Sequence, residues 1–264
     1  MENIKKIINN PTTYDLVLYL YSTFPLLFTI AVLLINAPYG RFAYNPGSFN
    51  KSISRYAWLT MEIVSPVVFF GTLYFSSTKN NIINLSPSQY LCSALWLIHY
   101  FNRSIIYSFR APSISPMHIL TWVCSIIFNI VNGYTNGYWV ATHSFSLTAE
   151  WSRVSFGLCL WWIGFYFNIY HDSILFDLRK QKKQPGDYSI PYGGLFNYIS
   201  CPNYFSEALE WIGFLLICWS APSFYFATST MANLFPRAYR SHQWYKKKFD
   251  NYPSNRKAII PFLL

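Results

Sequence analysis

The chain alternates between long apolar stretches and shorter segments that carry most of its charge. A helix needs about 20 residues to cross the hydrocarbon core of a membrane, and six or seven stretches approach this length. They lie near residues 16–35, 56–75, 90–109, 117–131, 154–170 and 204–234. The final tract contains Pro222, which cannot donate a helical hydrogen bond. We therefore divide that tract into two helices and predict seven transmembrane helices.

The distribution of basic residues predicts the orientation of these spans, because Lys and Arg concentrate on the cytoplasmic side. With seven spans and a cytoplasmic C-terminus, most of the 20 Lys and Arg residues face the cytoplasm. Six spans would put the basic cluster at 179–183 and the basic C-terminal segment on opposite sides, which the same rule disfavours. Lys5 and Lys6 argue mildly against this orientation.

Composition supports a membrane protein. Of the 264 residues, 53% are hydrophobic and 11% are charged, which excludes disorder and disfavours a water-soluble globule. No linker separates a second domain, so residues 1–264 are predicted to form one membrane-embedded domain. The five cysteines lack the spacing of a zinc site or a disulfide framework, and we expect no metal. The net charge of +10 favours anionic lipid headgroups or an anionic ligand over nucleic acid.

Ionisable and amide side chains within the apolar stretches recur at helical spacing. Burying a charge in a membrane costs about 2.5 to 3.5 kcal/mol on insertion scales, so such residues indicate a functional site. They occur on four of the predicted helices, and several on one helix share a face. They are Glu62; Tyr100, Arg103, Tyr107 and Arg110; Asn168, Asp172 and Arg179; and Asn203, Ser206, Glu207 and Glu210. The pattern predicts an all-α integral membrane protein, a seven-transmembrane helix bundle that encloses a cofactor and substrate cavity.

Two interpretations of these polar residues stay open. In the first, they pair with one another and hold the helix bundle together. In the second, they line a cavity that binds a polyanionic ligand from the basic cytoplasmic side. In the second case Arg103, Arg110 and Arg179 would bind phosphate groups, which arginine contacts through two parallel hydrogen bonds. The alternative for these three arginines is that they are ordinary charges flanking the cytoplasmic ends of the helices. A further stripe, of packing or substrate-side residues without an assigned role, consists of Asn129, Asn132 and Asn136.

Several motifs in the correct order resemble the steroid 5-alpha-reductase family. In the C-terminal half they are Asn168-Ile-Tyr-His-Asp172, Leu178-Arg179, the segment 188–200, Asn203-Tyr-Phe-Ser-Glu207, Glu210-Trp-Ile-Gly213 and the ending 252–262. Upstream they are Pro38-Tyr-Gly-Arg41, Ala57-Trp-Leu-Thr-Met-Glu62 and His99-Tyr-Phe-Asn-Arg103. The resemblance therefore extends from about residue 38 to the end of the chain, and the half from about 150 to 264 carries most of the cofactor motifs.

The resemblance implies a seven-helix membrane enzyme that uses NADPH to saturate the delta-4 double bond of a 3-oxo steroid. In such an enzyme Glu62 and Tyr100 would be catalytic, and Tyr39 and Trp58 would lie near the substrate rings. The positions that match the cofactor cavity are Arg103, Asn168, Asp172, Arg179, Tyr188, Asn203, Glu207 and Tyr245. Met61 and Ser189 depart from residues common in the family, which affects the expected substrate range and leaves the preference for a 2′-phosphate to Arg179 and its lysine neighbours.

The chemistry agrees with these roles. Hydride transfer to the beta carbon of a conjugated enone, C5 of the steroid, builds negative charge on the carbonyl oxygen. A hydrogen-bond donor at that oxygen stabilises the transition state. Tyr100 is such a donor, and Glu62 either donates to the ketone or orients the tyrosine.

Other activities stay open at this point. The same superfamily contains enoyl-CoA and polyprenol reductases, and a membrane methyltransferase would use S-adenosylmethionine in a similar helical bundle. A transporter or scaffold is disfavoured because the acid, the tyrosine and the cofactor positions occur together. The resemblance implies a monomer in contact with membrane lipid, located in the endoplasmic reticulum membrane, or in the cell membrane of a prokaryotic host, with its C-terminus in the cytoplasm.

Overall fold

A computed structural model describes residues 12–34, 47–80, 84–181 and 187–264, and these parts of the chain are predominantly helical. The helices are α1 (Thr13–Ser22), α2 (Phe24–Leu34), α3 (Lys51–Lys79), α4 (Pro87–Tyr100), α5 (Tyr107–Arg110), α6 (Ile119–Thr142), α7 (Trp151–Lys180), α8 (Pro202–Cys218) and α9 (Ala221–Lys248). A π-helical segment, Phe101–Ile106, joins α4 to α5, and a short 3-10 turn covers Gly194–Asn197. No β-strand occurs in these described segments.

Within the described residues, helices cover most of each apolar stretch that the sequence analysis predicted. The first stretch is interrupted by a one-residue turn at Thr23, so α1 and α2 follow each other closely. The predicted division of the final tract is confirmed. There Trp219 adopts a left-handed conformation with φ of 50°, and the Ser220 side chain accepts a hydrogen bond from the Ser223 backbone N–H to begin α9.

Among the described residues, two helical segments are long and apolar enough to cross a membrane by length and composition. They are the combined segment Thr13–Leu34, with a mean hydropathy of 2.0, and Lys51–Lys79, with a mean hydropathy of 1.4. The all-helical architecture of the described residues agrees with the predicted class.

Small residues bring two pairs of helices into close contact. Along α7 and α8, a Cβ atom added to Gly213 would lie 2.5 Å from the Trp161 backbone nitrogen. Along α3 and α6, a Cβ atom added to Gly137 would lie 2.5 Å from the Phe69 carbonyl oxygen. Small residues at helix interfaces are a main source of packing energy between membrane helices. These glycines therefore set the separation of the helices that carry the polar residues of the site.

Replacing Gly213 by alanine should destabilise the protein by about 1–3 kcal/mol, because the added methyl group forces α7 and α8 apart. The measurement is thermal unfolding of the purified protein in detergent. Gly71→Ala is the matched control, since nothing lies within 4 Å of a Cβ atom at that position of α3. An equal loss of stability in both variants would contradict the proposed packing role.

A buried aromatic cluster lies where α3, α4, α8 and α9 meet. The fully buried Trp96 ring stacks on Phe69 with ring centroids 4.8 Å apart. Trp211 packs against Phe226 at 4.1 Å. Tyr100 packs on this cluster, with its ring centroid 5.2 Å from that of Trp96. The cluster therefore fixes the ring of Tyr100 and leaves its hydroxyl group at the edge of the apolar core.

Candidate active site

The π-helical segment begins directly after Tyr100 and contains Arg103, within one continuous rod. The Tyr107 backbone N–H donates to the Asn102 carbonyl, the five-residue spacing of a π-helix. The Trp58 indole N–H, from α3, donates to the Arg103 carbonyl oxygen at 3.2 Å. Short π-helical segments interrupt helices mostly at functional sites. Here the segment changes the helical register directly after the predicted catalytic tyrosine, and it includes the predicted cofactor-binding arginine.

Arg103 lies at the centre of a group of three carboxylates, one from each of three other helices. Its Nε is 3.7 Å from Oε1 of Glu62 on α3. Its Nη1 is 3.8 Å from Oδ2 of Asp172 on α7, and its Nη2 is 3.6 Å from Oε2 of Glu207 on α8. All four side chains are at most 14% exposed. The structure thus brings together residues that are up to 145 positions apart on predicted polar stripes.

Aromatic rings complete the surroundings of Arg103. Its guanidinium carbon lies 4.7 Å from the centroid of Trp58 and 5.1 Å from that of Tyr107. The rings and carboxylates stabilise a cation, but the carboxylates would repel an anion placed beside it. The structure therefore does not favour Arg103 as a phosphate ligand. The pairing of polar residues that the first interpretation expected is present at this position.

Asparagines link the carboxylate on α7 to the start of α8. The Asn203 side-chain amide donates to Asp172 Oδ1 at 3.1 Å. The Asn168 amide donates to the Asn203 carbonyl oxygen at 3.0 Å. Both contacts follow from the close packing of α7 on α8 and confirm that these predicted cofactor-site residues lie together.

The Tyr100 hydroxyl group is buried and faces an amide from α6. The residue is 3% exposed, and its hydroxyl oxygen accepts a hydrogen bond from the Asn132 side-chain amide at 3.3 Å. Glu62 lies 3.7 Å from Arg103, the residue three positions after Tyr100. The two predicted catalytic residues therefore lie on helices, α3 and α4, that pack against each other. The contact from Asn132 was not predicted, because the sequence analysis left that asparagine without a role.

His99 and Glu210 form a second buried polar pair behind Tyr100. His99 Nδ1 lies 2.7 Å from Glu210 Oε1, and the side chains are 6% and 1% exposed. Both residues lie in the family motifs, but no spacing pattern along the chain indicates that they pair. The contact ties α4 to α8 next to the predicted catalytic tyrosine.

The remaining predicted cofactor residues lie in the last turns of α7 and α9 and in the segment that precedes α8. Arg179, in the last turn of α7, donates from Nη1 to the Ser113 carbonyl oxygen at 3.1 Å. Tyr188 packs edge-on against Trp244 at 4.9 Å. Tyr245 stacks on Tyr252 at 5.4 Å. Predicted substrate residue Tyr39 lies outside the described residues. Arg110, the other candidate phosphate ligand, instead donates to the Ser173 hydroxyl.

A hydrogen-bonded group holds the C-terminal segment against α9. The Ser200 hydroxyl lies 2.7 Å from His242 Nδ1 and 2.6 Å from the Tyr252 hydroxyl. Burial, together with the positive charges of Lys246 and Lys257, lowers the pKa of His242. A neutral imidazole is therefore favoured beside these lysines, and its Nδ1 can form a hydrogen bond with the Ser200 hydroxyl.

Arg256 is a buried cation that the sequence analysis assigned only to the cytoplasmic flank. It is 2% exposed, donates from Nη1 to the Pro191 carbonyl at 3.0 Å and lies over the Tyr192 ring at 4.7 Å. Within the described part of the chain its buried Nε has no hydrogen-bond partner. An unsatisfied buried guanidinium N–H fits a phosphate-bearing cofactor, since arginine is well suited to bind phosphate.

Comparisons with known proteins agree on one family. The family model described as 3-oxo-5-alpha-steroid 4-dehydrogenase matches residues 115–264. Steroid 5-alpha-reductase DET2 of Arabidopsis thaliana is 38% identical over 246 residues, covering 88% of this chain and 90% of the relative. The 3-oxo-5-alpha-steroid 4-dehydrogenase 1 of Bos taurus is 34% identical over 255 residues, covering 95% and 96%. An uncharacterized protein of Schizosaccharomyces pombe is 38% identical over 265 residues, covering 88% and 93%.

Proposed function

Because the chain belongs to the 3-oxo-5-alpha-steroid 4-dehydrogenase family of oxidoreductases, we propose that it reduces the delta-4 double bond of 3-oxo steroids with NADPH. The observation that supports this proposal most is the convergence of Glu62, Asp172 and Glu207 on Arg103, three positions after the buried Tyr100. The family motifs carry these residues on four different parts of the chain. Their meeting at one place fits a reaction centre.

Tyr100 and Glu62 act on the carbonyl group of the substrate in this proposal. When bound, NADPH supplies the hydride that C5 of the steroid accepts, and C4 then takes a proton. The Tyr100 hydroxyl donates a hydrogen bond to the C3 ketone oxygen, where negative charge develops. Glu62, on the neighbouring helix, orients the tyrosine as a carboxylate or, when protonated, donates to the same oxygen. Trp58, which bonds to the Arg103 carbonyl, and Tyr39 supply the aromatic surface for the steroid rings.

The cofactor-binding residues divide by charge. The group around Arg103 carries one cation and three carboxylates, so it suits the uncharged or positively charged nicotinamide end of the cofactor and repels phosphate. Arg179 and Arg256 suit the phosphate groups. The proposed cofactor set is Arg103, Asn168, Asp172, Arg179, Tyr188, Asn203, Glu207 and Tyr245, with Arg256 added from the structure.

The proposed membrane arrangement has seven spans around a cofactor and substrate cavity, with the C-terminus in the cytoplasm. Hydropathy and the cytoplasmic bias of Lys and Arg support it. We propose a single-domain monomer in the endoplasmic reticulum membrane. Steroids partition into lipid and NADPH is cytoplasmic in that setting, so the two substrates would approach the reaction centre from different sides.

A product analysis tests this function. Membranes that contain the protein are incubated with a 3-oxo-delta-4 steroid and NADPH that carries deuterium at the transferable position. We expect a 5-alpha-reduced ketone with deuterium at C5, and no product with membranes from cells that lack the protein. Reduction of a trans-2-enoyl-CoA or a polyprenol, with the steroid unchanged, would instead assign the alternative activity. Binding of S-adenosylmethionine without NADPH binding would indicate a methyltransferase.

A further inference from the structure

Asn132 of α6 lies at the centre of a buried chain of hydrogen bonds that ends at the Tyr100 hydroxyl. Its Oδ1 accepts from the Tyr21 hydroxyl at 2.8 Å and from the Asn136 amide at 2.9 Å. Its Nδ2 donates to the Tyr100 hydroxyl oxygen at 3.3 Å. The four residues are at most 3% exposed. This series of hydrogen bonds thus joins α1 and α6 to Tyr100, the residue proposed to polarise the substrate.

The direction of these bonds is set by the backbone. The Asn136 amide nitrogen donates to the Asn132 backbone carbonyl at 3.0 Å, so it is the NH₂ group of Asn136 that faces Asn132. The atom of the Asn132 side chain that meets this NH₂ group must be its oxygen. Its own NH₂ group must therefore point to Tyr100 and donate.

A donor at the tyrosine oxygen controls the position of the tyrosine proton. A phenol hydroxyl both accepts and donates, and an N–H group cannot accept its proton. The Tyr100 proton is then available to an acceptor elsewhere, and the donated bond makes the O–H a stronger donor through cooperativity. Glutamate or aspartate in place of Asn132 would lack this property when ionised.

We infer that Asn132 is a positioning residue that directs the Tyr100 proton toward the ketone of the substrate. The inference rests on the proposed function, because it needs Tyr100 to be the donor to that ketone. Asn132 acts only through Tyr100. Tyr21 and Asn136 hold the Asn132 amide in the required orientation by saturating its oxygen.

A double-mutant cycle tests this role with turnover, KM and NADPH binding as readouts. Asn132→Leu keeps the side-chain size and should lower kcat about tenfold, the effect of one hydrogen bond, with NADPH binding unchanged. In the Tyr100→Phe background the same substitution should have no further effect on kcat. Thr135→Val is the control one turn away on α6, since among the described residues that hydroxyl bonds to carbonyl oxygens of its own helix. It should leave kcat unchanged.

An equal loss of kcat from Asn132→Leu in both backgrounds would overturn the inference, since a structural role does not depend on the Tyr100 hydroxyl. If Tyr100→Phe retains the parental kcat, the catalytic assignment fails, and the inference fails with it. If the protein reduces an enoyl-CoA instead of a steroid, the cycle is measured with that unsaturated thioester, whose carbonyl oxygen takes the place of the ketone oxygen as the acceptor of the Tyr100 hydrogen bond. The steroid proposal then fails while the inference on Asn132 is still decided.

Tyr21→Phe tests the positioning role of Asn132 if Asn132→Leu does not yield folded protein. It removes one donor to Asn132 Oδ1 and keeps the ring that packs on Phe24 at 5.4 Å. We expect kcat to fall about threefold, with no further fall in the Tyr100→Phe background. A parental kcat for Tyr21→Phe, or equal losses in both backgrounds, would overturn the inference.

Discussion

Replacing Tyr100 by phenylalanine should lower the turnover of a 3-oxo-delta-4 steroid about 100-fold or more. The loss of one donor to a developing oxyanion is worth roughly 3 kcal/mol, and the hydroxyl is the only part of the residue removed. Glu62→Gln should have a similar effect, because it removes a carboxyl group that acts on Tyr100 or on the ketone. NADPH binding should persist in both variants. The measurements are single-turnover kinetics and a binding titration.

Tyr90→Phe is the matched control for this prediction. It makes the same chemical change on the same helix, α4, at a residue that is 59% exposed. Its turnover should equal that of the parental protein. Near-normal turnover in both Tyr100→Phe and Glu62→Gln would refute the catalytic assignment, whatever the effect of the control.

Arg103→Met should cause the largest loss of stability. It leaves Glu62, Asp172 and Glu207 close together in a largely buried site without their shared cation. Removing one partner of a buried ion pair costs about 3–5 kcal/mol, and here three carboxylates lose the same partner. We expect little monodisperse protein from detergent extracts and a strongly lowered thermal midpoint. NADPH binding should be lost in the fraction that folds.

Arg110→Met tests whether these effects are specific to the carboxylate group. Arg110 lies two turns further along the same rod, where its partners are the exposed Ser173 hydroxyl and the Phe176 ring. A surface contact of this kind contributes at most about 1 kcal/mol. If Arg103→Met has the same yield and the same thermal midpoint as Arg110→Met, the central role of Arg103 is contradicted.

The sequence predicted which polar residues share a helix face better than it predicted the contacts between helices. Helical spacing correctly placed Asn168 and Asp172 on one face of α7, and Asn203 and Glu207 on one face of α8. Spacing depends only on the regular turn of a helix, which is encoded locally. The family assignment from the motifs is confirmed by the comparisons. The seven membrane crossings, the cavity and the role of each site residue stay predictions.

Three features of the site had no sequence signal that spacing could detect. The π-helical segment at 101–106 changes the helical register through backbone hydrogen bonds. Backbone hydrogen bonds do not require particular side chains, so the residue spacing does not reveal them. The His99–Glu210 pair joins residues on two helices 111 positions apart. The contact of Asn132 with Tyr100 needs the relative rotation of α4 and α6, which no single-helix pattern contains.

The amino-acid sequence by itself determined where the chain is helical, where the last apolar tract divides, and which polar residues share a helix face. These properties follow from apolar runs, proline chemistry and a fixed number of residues per turn. Only the tertiary structure decided which polar faces meet and at what distance. That choice depends on how closely the helices approach, and here glycine contacts such as Gly213 against Trp161 set the approach between segments far apart in the chain.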